Sequence, residues 1–155
     1  MTDIQKRMEP LRIVEMVFPN TTNHYGTMFG GKVLELMDRA AFLAATRFSN
    51  QAMVTASTEH IDFFVPIKHG NLIELVAKVI FTGNSSLSIK VDLYSENPIQ
   101  KSRVHASQGY FHMVAVDENG RPTSIPKLIV STEEERADWK LMEELRASRR
   151  KRRMP

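Results

Sequence analysis

Apolar and polar positions follow two periods along the chain. Residues 11–18 (LRIVEMVF) are β-branched and apolar and predict a first strand, stopped by the turn pair Pro19-Asn20. A polar loop from Thr21 to Phe29 leads into Gly30-Gly31. Residues 32–47 (KVLELMDRAAFLAATR) then contain strong helix formers and neither Gly nor Pro, which predicts a helix. At about 100° per residue, Lys32, Glu35, Arg39 and Thr46 form one narrow polar stripe. Apolar residues, many of them alanine, cover most of the rest. The expectation is a largely buried helix pressed closely against a neighbouring surface.

Strands are expected from there on, at 53–65, 72–81, 86–93 and 103–116, the last bulged near 107–109. In 86–93 the alternation is clean: Leu87, Ile89, Val91 and Leu93 face one way, Ser86, Ser88, Lys90 and Asp92 the other. Residues 133–150 are acidic at the start and basic at the end, as a helix dipole favours, with Ser131 or Thr132 as cap; this helix is expected to be exposed. One buried helix beside about five strands joined by short turns predicts a two-layer α+β domain with an antiparallel sheet. The helix covers only one sheet face. Phe63, Phe64, Phe81 and Phe111 imply that the other is covered too, which points to dimerisation or a higher assembly.

Composition narrows the chemistry. With no cysteine among 155 residues, disulfides, thiolate metal sites and thiol nucleophiles are excluded. There is no run of about 18 apolar residues and no signal-peptide core, so a cytoplasmic protein without a membrane span is expected. The net charge of +3 is unevenly placed. Arg146, Arg149, Arg150, Lys151, Arg152 and Arg153 stand at the C-terminus without an acid among them. Removing those six from 21 basic residues leaves 15 against 18 acids. A mildly acidic body argues against nucleic acid as the partner. The tail reads as a frayed, solvated helix end, or as a contact for a polyphosphate, RNA or a protein.

Three features carry candidate chemistry. Asp38 falls mid-helix among Leu34, Ala41, Phe42 and Ala45, where an aspartate gains nothing from capping. It is either a boundary residue paired with Arg39 or across an interface, or a general base or nucleophile whose pKa desolvation would raise. Gly30-Gly31 opens the helix, where free amides could accept an oxyanion and glycine admits close approach; plain chain turning is the alternative. Asn23 is a turn residue or an amide that orients a carbonyl or water. Together, an amide, a donor turn and a carboxylate two turns later could surround one polarised carbonyl. There is no GxSxG, HExxH, Walker A or GxGxxG pattern, and no metal site is expected. His60 and Asp62 would share a strand face and could bond.

The segment from Asn23 through Gly26, Phe29, Gly30 and Gly31, followed by Leu36-Met37-Asp38, resembles the hotdog-fold acyl-CoA thioesterases. The likeness is strongest to bacterial broad-range acyl-CoA hydrolases and the brain acyl-CoA hydrolase. Val54-Thr55-Ala56-Ser57, Asp62-Phe63-Phe64-Val65-Pro66, Gly70 and the Gly83-Asn84-Ser85-Ser86 turn fit as well. The resemblance spans roughly residues 11–116. It implies a hotdog fold over residues 1–130, an antiparallel sheet wrapped around the long helix, with 131–155 as an appended helix and basic tail. It implies an enzyme that hydrolyses acyl-CoA to fatty acid and coenzyme A, without cofactor or metal. The assembly implied is a homodimer, stacked as a trimer of dimers, with sites at the dimer interface. It assigns the catalytic carboxylate to Asp38, the positioning amide to Asn23 and the oxyanion donor to the Gly30 N–H. Gly31, Thr55, Ser57, Gly83, Asn84, Ser85 and Ser86 fall in its substrate-binding region. Met28, Met37 and Phe63 could line an acyl tunnel, and Arg103 or the tail could meet coenzyme A phosphates. Two other readings are a non-catalytic acyl-CoA-binding regulator and a hotdog dehydratase or hydratase; the latter would need a histidine where Phe29 stands.

Overall fold

The computed structural model describes residues 4–153. The first three residues of the expected 1–130 domain and the last two of the 131–155 extension lie outside the described residues. Helix α1 (Gly30–Ser49) lies across a five-stranded antiparallel sheet. The strands are β2 (Leu11–Met16), β3 (Ala52–Phe63), β4 (Leu72–Thr82), β5 (Ser86–Asn97) and β6 (Ser102–Val116), in the order β2-β4-β5-β6-β3. A short parallel pair, β1 (Gln5–Lys6) and β7 (Lys127–Leu128), sits apart. Lys6 Nζ donates to the Phe48 carbonyl over 2.8 Å, closing the C-terminal end of α1. A second helix, α2 (Glu133–Arg153), ends the described chain.

Twenty residues make α1 about 30 Å long, enough to touch all five strands. Its alanines explain the closeness. Ala40, Ala41 and Ala45 are completely buried, together with Met37, against Ile89, Val91 and Phe111. Each large side chain enclosed this way contributes about 1.5–3 kcal/mol. The helix is two residues longer at each end than its polar stripe foretells. Asn50 stops it in the left-handed conformation, φ 55°. The first strand ends at Met16, earlier than expected, because Pro19 starts a single 3₁₀ turn. The expected burial of α1 holds only in part: Leu34, Phe42 and Leu43 are 37–42% exposed in the single chain.

Both pairings of β6 are irregular, and this aims side chains. Thr55 pairs with Met113 and Ser57 with His112, so Ala56 is a bulge that turns Thr55 and Ser57 to opposite sheet faces. A second bulge at His60 and Ile61 holds His60 at φ 49° and breaks the face that His60 and Asp62 would share. On β6 the irregularity falls at Ala106, just before the expected stretch.

Part of the second sheet face is covered by this chain's own α2, over Ile80, Phe81 and Tyr110. Thr132 caps α2: its Oγ1 accepts from Glu135 N at 3.0 Å, and Glu135 Oε1 accepts from Thr132 N at 2.9 Å. Met142 is wholly buried beside Ile80 and Tyr110, and Trp139 lies 4.4 Å from the Phe81 ring. Phe111 belongs to the opposite, α1-side core. Exposed apolar side chains remain on β2, at Val14 and Met16, and along the β3 edge, at Val54, Phe63, Phe64 and Val65, with Leu34, Phe42 and Leu43 on α1.

Candidate active site

The loop before α1 is built around Asn23. Its Oδ1 accepts from Tyr25 N, Thr27 N and Thr27 Oγ1 at 2.9–3.2 Å. Gly26 makes the turn at φ 77°, packed under His69. With the carbonyl oxygen engaged, the Asn23 NH₂ is left as the outward donor, and it has no acceptor among the described hydrogen bonds. At the helix start, Phe29 supplies no side-chain cap. The N–H groups of Gly30 and Gly31 find no acceptor among the described residues, while Lys32 N and Val33 N both turn back to Phe29 O. A Cβ on Gly31 would meet nothing within 4 Å, and one on Gly30 would meet only the Phe63 ring at 3.8 Å. Peptide donors here are bare and approachable.

Beside this start runs an apolar groove of about 280 Å³, lined by Met28, Gly30, Val33 and the 63–67 stretch. Two of the expected tunnel residues, Met28 and Phe63, line it. Met37 does not: it is enclosed in the core, its sulfur accepting from Ser107 Oγ at 3.4 Å.

Asp38 is half-buried on α1 between Leu34 and Phe42. Thr55 Oγ1 donates to its Oδ1 over 2.9 Å, and Arg39 pairs with Glu35 instead. The carboxylate is therefore held by β3 and keeps one oxygen for other partners. Eight residues of helix separate it from Gly30, about 12 Å along the axis. A single chain thus joins Asp38 to Thr55 but does not bring Asp38 and the Gly30 amide around one carbonyl.

Of the remaining expected residues, Ser57 points to the α2 face, its hydroxyl buried without a hydrogen-bond partner among the described residues. Gly83, Asn84, Ser85 and Ser86 form the β4–β5 hairpin turn, closed by Gly83 N on Ser86 O at 2.7 Å. Ile125 N, Ala115 N and Lys127 Nζ bond to its carbonyls, and Arg146 Nη1 donates to Ser86 Oγ at 3.1 Å. Arg103 pairs with Glu74 and Glu96 and stacks on Tyr94, so its charge is partly met within the chain. The contact of Arg146 with the turn was missed, although Arg146, Arg149 and Arg150 stand at helical spacing and must share a face.

The family model described as the thioesterase superfamily matches residues 25–101. YkhA of Bacillus subtilis, named an uncharacterized acyl-CoA thioester hydrolase, is 35% identical over 119 residues, which are 77% of this chain and 69% of that protein. The chain belongs to the thioesterase superfamily. Its hotdog architecture is shared with a crystallised apo-hexameric acyl-CoA thioesterase, 35% identical at a TM-score of 0.92 over 96% of this chain and 97% of that one. An acyl-CoA hydrolase from Staphylococcus aureus, solved with butyryl coenzyme A and coenzyme A, is 32% identical at a TM-score of 0.87, covering 96% and 92%. That hydrolase was also solved with an asparagine, an aspartate and a threonine each changed to alanine, at positions 15 and 17 residues apart in that order. No described helix of this thioesterase-superfamily chain is long and apolar enough to cross a membrane.

Proposed function

We propose that this protein hydrolyses acyl-CoA thioesters at a site shared by two copies of the chain. The observation that carries the reading is the Thr55–Asp38 hydrogen bond inside an exposed apolar seam. Three further facts support it. Asn23, Asp38 and Thr55 repeat the 15- and 17-residue separations of the three substituted positions in the S. aureus hydrolase. The amides of Gly30 and Gly31 are donors without an acceptor among the described residues. The β3 edge and the exposed Leu34, Phe42 and Val54 offer an apolar surface that a second copy would cover.

The mechanism follows from the geometry. Asp38 Oδ1 is tied to Thr55, so Oδ2 takes a proton from water as the water oxygen adds to the thioester carbonyl. The carbonyl oxygen becomes an oxyanion, for which pre-set N–H donors are the strongest single aid. These come from the second chain: the bare Gly30 N–H and the outward Asn23 amide, since on Asp38's own chain Gly30 lies about 12 Å away along α1. Collapse of the tetrahedral adduct re-forms the carbonyl and expels coenzyme A as thiolate, which needs little help to leave. The groove lined by Met28 and Phe63 takes the acyl chain. The hexamer of the crystallised relative is the assembly we expect, built from such pairs.

The test is thiol release from a panel of acyl-CoA chain lengths. Asp38→Asn should lower kcat by about 10²–10⁴, the usual worth of a positioned base, with an unchanged melting curve. Full activity in that variant overturns the role of Asp38. Binding of acyl-CoA without turnover by the native protein overturns the hydrolase reading.

A further inference from the structure

Strand β3 lies at the sheet edge, and among the described strands β6 is its one neighbour. Register is set chiefly by which side chains are buried, because a slip of one residue turns every side chain to the other face. β3 carries little of that signal: Met53 is the one fully buried side chain among its twelve residues. Two bulges, at Ala56 and at His60-Ile61, interrupt its pairing with β6. They leave Ser57, Thr58 and Glu59 as a short paired stretch between them. Yet this strand has to place Thr55 Oγ1 2.9 Å from Asp38 Oδ1.

What holds the stretch is polar. Glu59 faces α2, and both its carboxylate oxygens are buried without a hydrogen-bond donor among the described residues. Its Oε1 lies 3.7 Å from His112 Nε2 and 3.8 Å from Arg152 Nη2. His112 is itself fixed. Ser88 Oγ accepts from Arg146 Nε at 3.3 Å and gives its proton to His112 Nδ1 at 2.8 Å, so the ring carries its own proton on Nε2, towards Glu59. Ser88 and His112 are buried on β5 and β6, so the Glu59–His112 pair ties the edge strand to the inside of the sheet. Enclosing a carboxylate costs free energy that an apolar side chain would not, and setting register is the best-attested use of such a group. A one-residue slip of β3 would carry the Glu59 carboxylate to the apolar α1 side and turn Thr55 away from Asp38.

We propose that Glu59 is a positioning residue for the reaction: set against His112, it fixes the register of β3 between its bulges and so holds Thr55 on Asp38. The role rests on the hydrolase reading. The sheet separates the Glu59 carboxylate from that of Asp38, so its effect on turnover passes through the strand and through Thr55.

A double-mutant cycle on the full chain tests it. Glu59→Ala should lower kcat for acyl-CoA at unchanged KM, by no more than the roughly tenfold loss expected of Thr55→Val. In the Thr55→Val background the same change should cost nothing further, since the bond it serves is already gone. Glu59→Gln keeps the reach and an acceptor for His112 Nε2–H, and should restore the native kcat. Amide hydrogen exchange needs no turnover, and residues 54–59 should exchange at least about tenfold faster in Glu59→Ala. If Glu59→Ala does not fold, Glu59→Thr, strand-favouring but too short to reach His112, takes its place. Native kcat in the variant, the same fold loss in both backgrounds, or a change in KM alone overturns the proposal, and so does native exchange at 54–59. If the native chain cleaves no acyl-CoA, the hydrolase reading falls instead, and the exchange comparison still decides whether Glu59 sets the strand.

Discussion

Gly109 carries more of the fold than a glycine in mid-strand suggests. It lies on β6 where the second bulge of β3 presses inward. A Cβ built there would stand 2.9 Å from Ile61 Cγ1, 3.3 Å from Met37 Cε and 3.5 Å from the Phe111 ring. The methionine end can swing aside. Ile61 cannot, because its β-branched side chain is stiff at χ1 and His60 before it already sits at φ 49°. Gly109→Ala therefore overpacks a site with one rigid wall. Substitutions of that kind cost about 1–3 kcal/mol, and the 2.9 Å approach places this one near the middle, about 2 kcal/mol. In a chain of this length about 2 kcal/mol lowers Tm by roughly 4–8 °C. Thermal unfolding at matched protein concentration measures it, since assembly makes Tm concentration-dependent. Adding Ile61→Ala isolates the cause: if the clash is real, the second change costs at least about 1 kcal/mol less in the Gly109→Ala background than alone. A neutral Gly109→Ala, or strictly additive effects, would refute the reasoning.

Other consequences are direct. Thr55→Val keeps the shape but deletes the hydroxyl bonded to Asp38, and should lower kcat about tenfold, the low end for a hydrogen bond to a charge at a partly exposed site; unchanged kcat in the thiol-release assay counts against a positioning role. His112 is held down to about 4 from its ordinary 6.5, first by burial and then by Arg146 and Arg149. The unfolded chain takes up this proton near 6.5 and the folded chain only near 4, so native stability should fall as pH drops through that window. His112→Gln should flatten that part of the Tm–pH curve, and an identical slope would exclude the residue as its source. Thr132→Ala removes the cap of α2 and should cost about 1 kcal/mol, read as a lower unfolding midpoint in urea.

The sequence was clearest where one period ruled a long stretch. Helix α1 and the four long strands lie close to where polar spacing and β-branched runs put them. Legibility failed where a single residue changed direction. The Ala56 bulge sends Ser57 away from Thr55, and no residue-type signal marks it, because alanine fits either arrangement. The packing of α2 on part of the second sheet face was hidden by charge: Lys, Glu and Arg dominate the helix, and Trp139, Met142 and Leu145 make its apolar stripe. Arg146 read as solvated because arginine is a surface residue by type, yet its guanidinium stacks on Phe81 and bonds two serines. At the candidate site, Asp38 stood out as a carboxylate among apolar neighbours, and its bond to Thr55 joins two residues that the motif likeness had already named. The separation of about 12 Å between Asp38 and Gly30 was implicit in their numbers from the start, since eight helical residues cannot close on one carbonyl.

The claim on which the account rests is that each site takes its carboxylate from one chain and its amide donors from another. Subunit mixing tests it most directly. Asp38→Asn and Asn23→Ala chains, each inactive alone, are unfolded together and reassembled. In a shared site, half of the randomly formed pairs carry one site with both native residues, so thiol release should return to about a quarter of the native rate. Mixtures that stay as inactive as either variant, although mass spectrometry shows mixed pairs, would contradict it.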